Sequence, residues 1–356
     1  MSGGPFRVWD HRTPTPAKVD LPSVLSGHGR MSCRGAISNT CSRLGCMASP
    51  AYREEPCRTA LNKVTGMSFR WSLNPYAGCA HRCTFCFVRA FEARADRPAD
   101  DRYGRSIRIK VNIAEVLERE LRRRSWKREL VAVGTATDPY QPAEGHYRLT
   151  RACLVRLSAA RTPIHLITRG PLAVRDVDLL SEGARRAAVS ITFSIPTLDR
   201  EVWRRTEPGT APPRQRLRAL SRLVEAGLDV GVGMAPILPG LSDRPESLAA
   251  VVRAARDAGA TGVWANLLYL RPGTREHFLE NLARDWPDLL PMYERLYGGR
   301  AYLDRAEIEP VRREVAELGR RYGLHDRRAN PLRPDPAPDP VQLELPLAPG
   351  SWLPGL

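Results

Sequence analysis

Short apolar runs alternate with amphipathic helices from residue 113 to residue 269, and no other feature limits the possible folds as strongly. Ile113, Val116, Leu117 and Leu121 share one helical face and lead to the strand Leu130-Val-Ala-Val-Gly134. A helix from about Leu149 precedes Ile164-His-Leu-Ile-Thr168, and one near 172–182 precedes Val189-Ser-Ile-Thr-Phe-Ser194. A helix near 213–226 leads to Val230–Ile237. The stripe Leu248, Val251, Val252 and Ala255 leads to Val263–Tyr269. Apolar strands separated by amphipathic helices mean repeated βα units and a parallel sheet. With a first strand in Phe69–Tyr76, about six units are expected, fewer than the eight of a closed barrel. A doubly wound open sheet fits the same periodicity. Either architecture puts a ligand site at the carboxyl ends of the strands.

The flanks differ in texture. Residues 1–60, rich in Pro, Gly, Ser and Arg, show no sustained period and are expected to be an irregular extension. The α/β region is placed at 61–272. Helices alone are expected over 273–328, the last with a face of Ile308, Val311, Val315, Leu318 and Tyr322. From 329 to 356 the prolines Pro331, Pro334, Pro336, Pro338 and Pro340 predict an extended, flexible tail.

No run reaches the roughly eighteen apolar residues of a membrane span, and Met1 to Arg12 lacks the apolar core of a secretory signal. A soluble cytoplasmic protein without membrane contact is the expectation. In that reducing setting the eight cysteines point to metal binding rather than disulfides. The net charge is +16, from 55 basic and 39 acidic residues. Codon bias accounts for arginine over lysine but not for the excess of positive charge, which favours a polyanionic partner such as DNA or RNA.

The strongest local signal is Gly78-Cys-Ala-His-Arg-Cys-Thr-Phe-Cys-Phe87, a C-x3-C-x2-C on the loop after the first strand. Cys79, Cys83 and Cys86 can thereby bind three corners of an iron–sulfur cube. Zinc sites usually use two C-x2-C-like pairs, and ferredoxin-type clusters use four cysteines with shorter gaps. Three thiolates leave one iron open for a substrate or cofactor; zinc or an inert cluster is the alternative occupant.

This loop resembles that of the radical S-adenosylmethionine superfamily, C-x3-C-x-aromatic-C after the first strand of a partial (β/α)6 barrel, with Phe85 in the aromatic position. The resemblance spans about 69–270. It implies a [4Fe–4S] cluster whose fourth iron binds S-adenosylmethionine, reductive cleavage to a 5′-deoxyadenosyl radical, and a reductant such as flavodoxin or ferredoxin. More narrowly, four segments resemble the spore photoproduct lyase-like (DNA repair photolyase-like) branch: Cys57–Val64, Gly134–Glu144, Glu207–Arg214 and Ala235–Gly240. The family then implies cofactor contacts at the strand ends. Thr137 and Asp138 stand where the methionine amino group is held. Arg169 stands where the lyase has a lysine reaching the carboxylate, and Ser194 at a position that bonds ribose or carboxylate. Phe87 stands where an aromatic covers the adenine. Each also has an ordinary reading, such as a strand-end cap for Ser194 or a turn for Asp138-Pro139.

In photoproduct lyases a cysteine hydrogen donor precedes the residue corresponding to Thr137; here that place is Ala136, which counts against the lyase's route. Cys153 falls in the following helix, where a small buried hydrophobe is expected. Tyr140 and Tyr147 are candidates for a radical relay, against packing or hydrogen bonding. Cys33, Cys41, Cys46 and Cys57 match no common ligand spacing, and unliganded thiols are expected there. The basic stretch Leu117–Arg128 suits phosphate contact, against compensation of a helix dipole on a solvated face as the ordinary reading. In the tail, Gln342-Leu-Glu-Leu-Pro-Leu347 resembles the Q-L-x-L-x-L pattern that docks bacterial replication and repair proteins on the DNA sliding clamp.

The leading expectation is a radical enzyme acting on nucleic acid. The alternatives are the same chemistry on a peptide, RNA or small molecule, and a non-catalytic iron–sulfur factor associated with DNA.

Overall fold

A computed structural model describes residues 50–326. The strands are β1 (Ala51–Glu55), β2 (Leu61–Lys63), β3 (Trp71–Leu73), β4 (Tyr76–Ala77), β5 (Ser106–Lys110), β6 (Val131–Val133), β7 (Ile164–Thr168), β8 (Val189–Ser194), β9 (Asp229–Ile237), β10 (Gly262–Leu267) and β11 (His325–Asp326). The main sheet has eight strands in the order β11-β10-β9-β8-β7-β6-β3-β2, with β2 antiparallel to β3 and every other pair parallel. The six strands expected from the periodicity are β3 and β6 to β10. Their spatial order follows their chain order, the progression of a barrel wall, whereas a doubly wound sheet reverses direction at a switch point.

Alternation sorts the side chains of this sheet. Leu166, Ile191, Phe193, Val230, Val232 and Met234 are fully buried. They alternate with Ile167, Thr192, Ser194 and Trp264, which line a cavity on the other face. The cavity side of β9 carries Gly231, Gly233 and Ala235, small residues that leave room above the sheet. A Cβ on Gly233 would come within 2.9 Å of the Trp264 ring, so the indole lies where any side chain would stand. Helices Ile113–Leu121, Leu149–Ala159 and Val177–Arg186 pack in succession, and Arg305–Arg321 packs on β10 and on Pro245–Asp257.

Three features depart from the sequence expectations. Residues 51–55, expected to be irregular, form β1, paired in parallel with β5. β1 is almost wholly exposed and held by its backbone ladder, so it has no apolar period to detect. Its small sheet, in the order β1-β5-β4, was also not anticipated. The region past 270 is helical except for β11, two exposed residues added to the edge of β10. The expected tail 329–356, its Gln342–Leu347 motif, and Cys33, Cys41 and Cys46 lie outside the described residues. Among the described residues, no helix is long and apolar enough to cross a membrane.

The segment entering β2 is anchored by one carboxylate. Buried Glu120 accepts hydrogen bonds from the backbone N–H groups of Ala60 (3.2 Å) and Leu61 (2.8 Å). Glu120→Ala strands both donors and is expected to cost about 1–3 kcal/mol. A lowered melting temperature, with faster amide exchange at residues 60 and 61, checks this.

Candidate functional site

The cysteine loop leaves β4 through Gly78, whose φ of +86° favours glycine. Side chains from the turn after β6 hold its first part. The Thr137 hydroxyl donates to the Gly78 carbonyl at 2.7 Å, and Gln141 donates to the same carbonyl at 3.1 Å while accepting from the Ala80 N–H at 2.9 Å. Its middle is tied to the segment after helix Arg200–Thr206. The N–H of Thr84 donates to the Thr206 carbonyl at 2.9 Å, and that of Gly209 to the His81 carbonyl at 3.0 Å. Gly209 can be nothing larger, since a Cβ would lie 2.3 Å from the Ala80 carbonyl oxygen. Its end runs into helix Val88–Arg94, where buried Arg89 donates to the carbonyls of Cys83 (3.4 Å), Ala99 (2.6 Å) and Asp100 (2.7 Å).

Cys79, Cys83 and Cys86 all line one cavity of about 320 Å³ at the carboxyl ends of the strands, within the usual range for small-molecule sites. Burial pushes the thiols of Cys83 and Cys86 above the ordinary value. Cys79 is also buried, but His81 beside it outweighs that and lowers its pKa. The Tyr103 hydroxyl lies 3.7 Å from the Cys86 sulfur. Among the described residues, no group of three or more His, Cys, Asp or Glu side chains converges on a single metal ion. A cluster that takes each thiolate on a different iron does not need that convergence. Donor chemistry, a shared cavity and a braced loop therefore fit an iron–sulfur cube.

Every other residue singled out from the sequence as a cofactor contact lies in the same lining: Phe85, Phe87, Thr137, Asp138, Arg169 and Ser194. Asp138 uses both oxygens internally. Oδ1 accepts from the Thr168 hydroxyl (2.7 Å) and the Tyr140 N–H (2.8 Å), and Oδ2 accepts from the Arg169 N–H (2.6 Å). Burial works against this carboxylate, but His81, 3.4 Å away, and these donors hold its pKa at about 2. In return, the charges of Cys79 and Asp138 overcome the burial of His81 and raise it to about 10. Arg169 projects its guanidinium 5.6 Å over the Phe85 ring, its Nε donating to Glu207 at 2.7 Å and Nη2 to the Ala235 carbonyl at 3.1 Å. The Ser194 hydroxyl donates to the same carbonyl at 3.0 Å.

The candidates for hydrogen return and radical relay lie elsewhere. Ala136 lines the cavity; Cys153, Tyr140 and Tyr147 do not. Cys153 is fully buried in the core, as its helical position suggested, and Tyr140 donates to Asp176 at 3.0 Å. Tyr147 donates to Glu54 at 3.0 Å. Cys57 packs at the edge of the core, its backbone bonded to Asn112. The lining also contains His81, Tyr103, Trp264, Asn266 and Tyr269, which sequence reasoning missed. Of these only His81 carried a signal, its place inside the cysteine motif.

Comparison with known proteins supplies the family. A profile of the radical SAM superfamily matches residues 73–252. An uncharacterized protein of Mycobacterium bovis is 40% identical over 83% of this chain and 88% of its own length. An uncharacterized protein of Acidianus two-tailed virus is 33% identical over 61% of this chain and 72% of its own. Among solved structures, spore photoproduct lyase complexed with dinucleoside spore photoproduct aligns with a TM-score of 0.59 at 15% identity, over 77% of this chain and 80% of that one. That likeness is one of fold, and it agrees with a spore photoproduct lyase-like sheet. The chain belongs to the radical SAM superfamily, as an enzyme whose cofactors are a [4Fe–4S] cluster and S-adenosylmethionine.

Proposed function

We propose that this enzyme cleaves S-adenosylmethionine reductively and directs the resulting radical at a nucleic-acid substrate, with DNA as the class. The observation that carries the reading is the shared cavity: three thiols on a braced loop line it together with Arg169 and Ser194 from the strand ends and Phe87 from the loop's own end. When bound, cluster and cofactor supply one-electron cleavage of the sulfonium to a 5′-deoxyadenosyl radical that takes hydrogen from substrate.

The chain's own part is to hold and orient. Cys79, Cys83 and Cys86 are the ligands in this reading. Thr137 and Asp138 act through the loops they fix, Thr137 on Gly78 and Asp138 on the backbone of Arg169. Arg169, braced by Glu207, meets the cofactor's carboxylate, and Ser194 stands beside it. Phe85 stacks under that guanidinium, and Phe87 covers the adenine.

Three observations support DNA: the net charge of +16, the resemblance to the photolyase-like branch, and a fold shared with a lyase that was solved with a dinucleoside photoproduct. The basic stretch after helix Ile113–Leu121 does not add to them, because it precedes β6 whereas the cavity follows it. Its Arg122 pairs with Glu118 at 2.5 Å. With Ala136 in the wall and Cys153 outside it, hydrogen return by the lyase's thiol is not part of the proposal. A flavodoxin or ferredoxin supplies the electron, and Gln342–Leu347 docks on the sliding clamp.

Anaerobic reconstitution followed by reduction with dithionite tests the chemistry. Wild-type protein is expected to form 5′-deoxyadenosine, and Cys83→Ala to form none and to bind less iron; a loaded wild-type cluster without 5′-deoxyadenosine refutes the reading. Arg169→Ala is expected to weaken S-adenosylmethionine about tenfold or more in equilibrium dialysis, the loss of a charge-assisted contact, while iron content stays unchanged. A labelled peptide of residues 338–352 is expected to bind the sliding clamp in fluorescence anisotropy, and to lose binding when Leu345 and Leu347 are replaced by alanine.

A further inference from the structure

A row of aromatic rings leads out of the cavity. Phe87, in the lining, meets Phe91 edge-on with ring centres 5.9 Å apart, and Tyr269, also in the lining, at 6.1 Å. Tyr269 stacks in turn on Tyr302, with centres 5.5 Å and planes 21° apart. Arginines flank both ends. The guanidinium of Arg94 lies 5.2 Å over Phe91, and that of Arg271 lies 5.7 Å over Tyr302 and donates to its hydroxyl at 2.7 Å.

The row is only half covered by protein. Phe87, Phe91 and Tyr302 are 36%, 44% and 52% exposed, among the few large hydrophobic residues left exposed in the described residues. Leaving so much ring surface in water forgoes burial energy, and packing of the core does not explain it. The rings come from separate parts of the chain: the helix after the cysteine loop, the end of β10, and the segment before the last helix. Folding therefore gathers them at the cavity mouth.

Ring faces beside guanidiniums are the chemistry of single-stranded nucleic-acid binding. Every base presents a π-face whatever its identity, and the guanidiniums serve both the phosphates and the rings. We propose that Phe91, Tyr269 and Tyr302, linked through Phe87 and flanked by Arg94 and Arg271, form a stacking platform that guides single-stranded DNA into the cavity mouth, while Phe87 itself is left to the adenine. This rests on the nucleic-acid reading above and goes beyond it by fixing the state of the substrate. The reacting nucleotide arrives from an unpaired strand, its neighbours stacked on the outer rings. Tyr302 and Arg271, farthest from the thiols along the row, serve the strand rather than the cofactor.

Anisotropy of a labelled twelve-nucleotide dT strand on the reconstituted full-length protein tests this, beside the same strand in duplex and a matching uridine strand. The single DNA strand is expected to bind best. Tyr302→Ala is expected to weaken it between about five- and a hundredfold, and Tyr302→Phe, which keeps the ring, to change it little. Arg271→Ala is expected to reduce the salt dependence by about one ion-equivalent. Equal melting temperatures of the variants exclude a folding effect, and if Tyr302→Ala melts early, an unchanged salt dependence in a folded Arg271→Ala overturns the platform in its place. Unchanged binding by a folded Tyr302→Ala overturns the platform but leaves the nucleic-acid reading standing, and duplex binding as tight as the single strand does the same. Tighter binding of the uridine strand overturns the choice of DNA. A wild-type protein that binds none of the three strands overturns the platform and the nucleic-acid reading together, even if it still forms 5′-deoxyadenosine.

Discussion

The buried carboxylate of Glu207 sits between two guanidiniums, and much of the cavity depends on it. Arg216, itself fully buried, reaches Glu207 at 3.1 Å from helix Pro213–Glu225 and donates to the Ser194 carbonyl at 2.8 Å. Arg169 reaches it from the end of β7. Burial raises the pKa of such a carboxyl, but the two arginines outweigh that and keep it ionised. A charge so deep in protein is tolerable only when paired and hydrogen-bonded on every side, so the site has little freedom to rearrange. The same few residues, 206–210, also carry the backbone bonds to Thr84 and His81. One ion-pair node thereby sets the position of the cavity's arginine relative to the cysteine loop.

A second constraint is steric. Gly104 and Gly209 both press against the loop backbone, and a Cβ on Gly104 would lie 2.2 Å from the Cys79 carbonyl oxygen. With Arg89 threaded through the carbonyls beneath, the loop has little space to shift. The thiols are thus placed by close packing and by hydrogen bonds to their own backbone, before any ligand contributes. Such pre-organisation is what a site needs if its ligands are to meet a cluster without first paying to order themselves.

Much of this was legible in the chain. The βα alternation gave the six parallel strands because each buries apolar side chains at a period the eye can follow. The cysteine spacing located the loop, and the family resemblance it carried pointed to Arg169 and Ser194, at the carboxyl ends of strands where parallel βα folds face a ligand. What escaped was fixed by exposure or by distance. β1 has no buried face to leave a period. Glu207 belongs to a segment that resembles the photolyase-like branch, yet its partners lie 38 residues before it and nine after. Tyr103, Trp264 and Tyr269 look like ordinary packing aromatics until the fold brings them to one wall.

The bracing of the cysteine loop has a bearing on biogenesis. The Thr274 hydroxyl donates to the Cys86 carbonyl across 188 residues of sequence, and Thr84 is bonded to Thr206 across 122. During vectorial synthesis the three cysteines emerge before Thr206 and Thr274, to which their loop is tied. The bracing of the loop is therefore complete only after residue 274 has been made, and a cluster delivered before that point would meet an unbraced loop.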